Sequence, residues 1–182
     1  MRTKVNLILL LLVVQVSFVR GQTLYGTSAG EVSFYSDTPL ETIEAVNKKT
    51  GSIINVSSRE LAVQMKISDF VFPNKLMQEH FNENYLESEK YPTAVFKGKI
   101  KEQIDLTVAG SYVVTAEGGL TIHGVTKPVS VKGTIVSTES ALKLDFKFQI
   151  RPEAYNIEVP SLVITKIAEE IDVTGKMTLV KK

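Results

Sequence analysis

The sequence contains no cysteine and no tryptophan, and only two of its 182 residues are histidine, His80 and His123. Without cysteine there is no disulfide framework, no thiol nucleophile and no thiolate-bound zinc or iron–sulfur centre. Two histidines are too few for a multi-histidine metal site within one chain. An excess of one charge is also missing: 21 basic and 20 acidic residues give a formal net charge of +1. Nucleic acid would need a basic stripe or patch, so no nucleic-acid partner is expected. Catalytic signatures are equally scarce, with no nucleophile elbow, Walker A loop, dinucleotide-binding glycine motif or H-E-x-x-H.

What is present begins with an address. Arg2 and Lys4 precede an unbroken apolar run over residues 7–14, and Val19-Arg20-Gly21 follows. These are the n-region, h-region and cleavage site of a secretory signal, so residues 1–21 are expected to be removed after Gly21. The run is well short of the ~20 residues a transmembrane helix needs, so no integral membrane protein is expected. No cysteine follows it to carry a lipoprotein anchor. Cleavage removes three basic residues and no acidic ones, leaving 18 and 20 and a formal charge of −2. The expected product is a periplasmic or secreted single domain, residues 22–182, without affinity for anionic surfaces.

Alternation of period two dominates that domain. Leu142, Leu144, Phe146, Phe148 and Ile150 alternate with Lys143, Asp145, Lys147 and Gln149, giving one apolar and one polar face. Leu61, Val63, Met65 and Ile67 repeat the pattern. Shorter versions occur around Val32 and Phe34, in 94–100, in 129–135 and in 171–179. Turn signals at Thr50-Gly51, Gly118-Gly119, residues 137–140 and Val159-Pro160 separate them. One-sided strands joined by short turns describe an all-β antiparallel sheet curling over one interior. The exception is residues 74–88. Met77, Phe81 and Tyr85 recur every four positions, Asn74 is an N-cap candidate, and Tyr91-Pro92 blocks continuation. One amphipathic helix among strands is expected to cover an end of the barrel, with Glu79, Glu83 and Glu87 toward solvent.

Isolated polar residues offer little chemistry. Glu79 and His80 are adjacent on a helix, about 100° apart, which suits no shared metal. Glu169, Glu170 and Asp172 flank a strand start and read as a solvated edge. No serine has a nucleophile context. No catalytic residue, metal ligand or cofactor is expected. The apolar face is the resource: a closed barrel of this size encloses a ligand cavity or fills itself with side chains. Periodicity does not separate the two.

Two segments are more specific. Residues 76–98, LMQEHFNENYLESEKYPTAVFKG, resemble the short helix, acidic loop and K-Y-P-x-A-x-F strand of the YceI-like family. Residues 118–129, GGLTIHGVTKPV, resemble its G-x-L-T-I-H-G-V-T-K-P-V hairpin. The order and spacing agree, and the likeness extends weakly over most of the remaining domain. It departs from longer relatives at residues 27–34, which lack the family's early histidines, and at residues 150–155. Those departures resemble a compact, Bacteroidetes-type branch.

The resemblance implies a lipocalin-like antiparallel β-barrel, an isoprenoid or other apolar lipid held inside it, and no catalytic residues. It also allows a homodimer, although no interface is legible. The expected function is an exported carrier that sequesters an apolar amphiphile. The alternative is a structural or protein-interaction module of the cell envelope with a filled core. Candidate cavity-lining residues are Val32, Phe34, Leu61, Val63, Met65, Phe96, Leu144, Phe146 and Phe148 along the strands. Phe70, Phe72, Met77 and Phe81 are the candidates at the helix-covered end.

Overall fold

A computed structural model describes residues 23–159 and 167–182; the expected leader and Pro160 lie outside them. Eight strands form one sheet: β1 Leu24–Asp37, β2 Thr42–Asn55, β3 Glu60–Lys66, β4 Thr93–Ile100, β5 Gly110–Ile122, β6 Val125–Ser137, β7 Ala141–Ile150 and β8 Ile171–Lys181. Every strand is antiparallel to its sequence neighbour, and β8 returns to β1. Closure removes the exposed edges that an open sheet of this composition would present. Among the described residues no helix is long and apolar enough to cross a membrane.

The two ends of the barrel differ. At one end the connections are short or plugged: Ile54, Ile100, Leu142 and Leu179 sit at strand ends with essentially no exposure. Leu106, from the β4–β5 connection, is tucked among the core residues, and the Ser137 hydroxyl donates to its carbonyl at 2.7 Å. The other end carries the long connections. The β3–β4 excursion spans residues 67–92, and residues 151–170 link β7 to β8.

Two seams open toward that second end. β2 pairs with β3 only through Asn55 to Gly51, and farther along it meets a single bridge, Val46 to Val71. β6 pairs with β7 only through Ser137 to Lys132, beyond which a 3-10 turn at Pro152–Tyr155 lies beside β6. Buried Asn47 stitches the first seam. Its Nδ2 donates to the Lys66 carbonyl at 2.9 Å, while its Oδ1 accepts from Lys49 N–H at 2.8 Å.

Several sequence expectations need correction. Thr50-Gly51 and Gly118-Gly119 are not turns; they lie inside β2 and β5. Thr50 is buried opposite Gly30, at an irregularity in the β1–β2 register. Gly118 stands where a Cβ would come within 2.2 Å of the Lys97 carbonyl, so close strand approach demands the glycine there. Ile67 leaves the strand for a 3-10 turn but remains buried. The helix is shorter than its periodicity: α1 spans Lys75–His80, followed by a wider turn at Phe81–Tyr85 in which Leu86 N–H reaches back to the Phe81 carbonyl. Asn82 Nδ2 donates to the Gln78 carbonyl at 2.8 Å, a side chain entering the ladder where the helix widens.

Candidate functional site

The inward faces of the strands do not meet across the barrel. They enclose a cavity of about 460 Å³, within the range of small-molecule sites. Its walls come from alternate residues of the strands, because successive side chains point to opposite faces of a sheet. All thirteen candidate positions lie on it: Val32, Phe34, Leu61, Val63, Met65, Phe70, Phe72, Met77, Phe81, Phe96, Leu144, Phe146 and Phe148. Ala94, Leu120, Val131, Ile135, Ile150 and Val173 also line it. Except for Leu120 in β5, they belong to strands whose alternation is visible in the sequence, but alternation does not show which apolar positions face free space.

The mouth is roofed by α1 and the turn that follows. Asn74 caps the helix through Oδ1, accepting from Leu76 N–H at 2.9 Å and Met77 N–H at 3.4 Å. Gln78 Oε1 accepts from Phe72 N–H at 3.2 Å, tying the helix to its own approach. Beneath it four phenylalanines close together. Phe81 stacks on Phe34 at 5.4 Å between centroids and lies 4.9 Å from Phe72 and 5.7 Å from Phe70. Contacts of this geometry add to simple burial, so the roof is held chiefly by apolar packing. Polar groups gather at this rim: Glu41, Asn74, His80 and Tyr85 line the cavity. Burial, and then the charge of Glu41, push the Tyr85 phenol above its ordinary value.

A polar node anchors the far end of the roof. His123, in the β5–β6 hairpin, makes two bonds to other elements. Nε2 lies 2.7 Å from Glu87 Oε2, and Nδ1 lies 3.2 Å from the Tyr155 carbonyl. A backbone carbonyl only accepts, so Nδ1 is the donor in the bond to Tyr155. Tyr91 packs edge-on against the imidazole at 4.4 Å, and Ile67 N–H donates to the Pro92 carbonyl. Glu87 remains partly exposed, in line with the expectation that it faces solvent, and also has a structural role. Its bond from His123, with the nearby Lys90 charge, holds its carboxyl below the usual range. His123 and Glu87 both have positive φ, at 50° and 42°. Such backbone in non-glycine residues persists where surrounding contacts determine it.

Other polar clusters stay on the surface. Glu170 pairs with Arg151, and Asp172 pairs with Lys147 and Gln149. His80 is exposed on α1, and no cluster of metal-ligating side chains occurs among the described residues. A second hollow, of about 580 Å³, lies at Leu24, Ile53, Lys97 and Glu117; it is open to solvent and mixed in polarity.

The same architecture occurs in solved structures. A polyisoprenoid binding domain from Saccharophagus degradans aligns with a TM-score of 0.75 at 12% identity, covering 88% of this chain and 99% of that one. BcnA of Burkholderia cenocepacia aligns with a TM-score of 0.63 at 20% identity, covering 83% and 96%. The YCEI protein of Campylobacter jejuni gives 0.60 at 15% identity, covering 75% and 82%. At these identities the likeness speaks to fold. No curated protein matches the sequence significantly. The family model described as YceI-like domain matches residues 16–179. Eight closed strands, a helical roof and a match over nearly the whole sequence make this chain a member of the YceI-like family.

Proposed function

We propose that the protein is an exported, non-catalytic carrier that holds an apolar amphiphile, an isoprenoid or related lipid, in its barrel. The observation that carries this reading is the cavity itself: about 460 Å³ lined mostly by aliphatic and aromatic side chains, with polar groups at its rim. A module with a filled core would have no use for it. Transfer of apolar surface from water is worth about 25 cal/mol per Å², so ten ligand methylenes would contribute roughly 8 kcal/mol before ordering costs. The polyisoprenoid binding named for the Saccharophagus domain supports the ligand class. The basic start, apolar run and small-residue site of residues 1–21 support export.

Two measurements test the proposal. Native mass spectrometry of protein purified from its export compartment, with solvent extraction, should reveal a discrete long-chain lipid. Ala94→Phe, on the cavity wall, should block that ligand with little loss of stability, whereas overpacking a filled core would cost about 1–3 kcal/mol. An apo mass combined with failure to bind added isoprenoids and fatty acids would refute the carrier reading and favour a surface partner.

A further inference from the structure

Part of the free space in the cavity depends on one glycine. In β6, β7 and β8 the inward positions Gly133, Phe146 and Gly175 stand side by side in register. The Phe146 ring lies over Gly175. A Cβ at position 175 would fall 2.1 Å from Phe146 Cζ and 2.5 and 2.7 Å from its two Cε atoms. Those are the three nearest atoms, and all belong to the far end of one rotatable side chain. Gly133 differs: the nearest obstacle there is the Asp145 carbonyl at 2.6 Å, so it serves the packing of the sheet. A buried glycine inside a strand weakens that strand, and the ring resting on Gly175 supplies a reason for it.

Phe146 and its neighbour Phe148, 6.3 Å away between centroids, both line the cavity. The ring reclines against the wall because β8 offers no side chain there. With any larger residue at 175 the ring has to leave, and the sheet backbone behind it leaves only the lumen. An inward ring would narrow the bore beside Val173 and Leu144, which also line the cavity. A methyl-branched chain is thicker than a straight one and meets that constriction first.

We propose that Gly175 is a positioning residue for ligand specificity: by accepting the Phe146 ring against the wall, it keeps the lumen wide enough for a methyl-branched isoprenoid chain. This rests on the carrier reading above. The test is calorimetric titration of the purified chain with farnesol and with 1-dodecanol, which share main-chain length and headgroup and differ in branching and unsaturation. Gly175→Ala should weaken farnesol binding about tenfold or more and dodecanol binding no more than about threefold. Adding Phe146→Ala removes the displaced ring and should return farnesol binding to within about threefold of wild type.

Unchanged farnesol binding in Gly175→Ala, equal loss of both alcohols, or no recovery in the double variant would overturn the proposal. A Gly175→Ala chain that does not fold while the double variant does would also overturn it, because the ring would then have no access to the lumen. Binding of neither alcohol by the wild type would overturn the carrier reading and this proposal together, whereas wild-type binding with an indifferent Gly175→Ala would sink this proposal alone.

Discussion

Asn47 bears a load that a strand ladder carries elsewhere in this barrel. Where β2 parts from β3, its side chain replaces a missing rung, donating to the Lys66 carbonyl and accepting from Lys49 N–H, with no exposure to solvent. Asn47→Ala removes both bonds. Each is worth about 0.5–1.5 kcal/mol net, and partners left unsatisfied add desolvation cost, so a loss of about 2–3 kcal/mol is expected. At about 2–4 °C per kcal/mol for a domain of this size, the melting temperature should fall by about 4–12 °C. Thermal unfolding followed by circular dichroism, checked by urea titration, measures it. Asn47→Asp sharpens the test. A carboxylate keeps the Lys49 contact but faces the Lys66 carbonyl without a proton, so near neutral pH it should be less stable than the alanine variant. Burial raises the pKa of the introduced acid. The neutral acid then donates to Lys66, a contribution present below the unfolded-state pKa and lost as pH rises through the raised folded-state value. Because Lys66 leads into the segment bearing Phe70 and Phe72, both variants should also exchange bound ligand faster. An Asn47→Ala loss below about 0.5 kcal/mol, or an aspartate variant more stable than the alanine one at neutral pH, would refute the stitching argument.

Leu106→Ala should cost about 2–5 kcal/mol by urea unfolding, since this fully buried residue closes one end of the barrel and little around it can collapse inward. Thr50→Val should behave oppositely. Thr50 Oγ1 is buried without a hydrogen-bond partner, so replacing the hydroxyl with a methyl should leave stability unchanged or raise it by up to about 1 kcal/mol. Glu87 makes a pH-dependent contribution. Its carboxyl is held below 4.5, first by the bond from His123, so its stabilisation is present above the unfolded value and lost as pH falls through the folded one. Glu87→Gln should flatten that acid limb in stability measured against pH; an identical limb in the variant would remove Glu87 from the node.

The legibility of this fold in its sequence follows the chemistry of each strand's inward face. β7 is plain because Leu142, Leu144, Phe146 and Phe148 all point inward and the intervening residues are polar. β2 is hidden because its inward run includes Ala45, Asn47, Thr50 and Ser52, small or polar residues that stitch seams and meet bulges. β5 is hidden because its glycine pair reads as a turn, although close approach of β4 is what requires Gly118. The roof was visible from Met77, Phe81 and Tyr85, but its early widening depends on Asn82 reaching the Gln78 carbonyl, a contact without a periodic signature. His123 lies in the hairpin segment that carries the family resemblance. Its partners Glu87 and Tyr155 lie 36 and 32 positions away, beyond local pattern reading.

The site was harder to read than the fold, because a cavity is a relation between strands. The same inward Phe146 fills a core when a bulky residue stands beside it and lines a space when Gly175 does. Nine strand positions are identifiable one at a time from alternation, which assigns each a face, and four more from the helix-covered end. Whether those faces meet or stand apart depends on residues such as Gly175 and Ala94, whose small size reads, strand by strand, as weakness. For barrels of this kind the informative sequence signal is therefore the small inward residue beside a large one, since that pairing decides whether a ring lies across the lumen or along its wall.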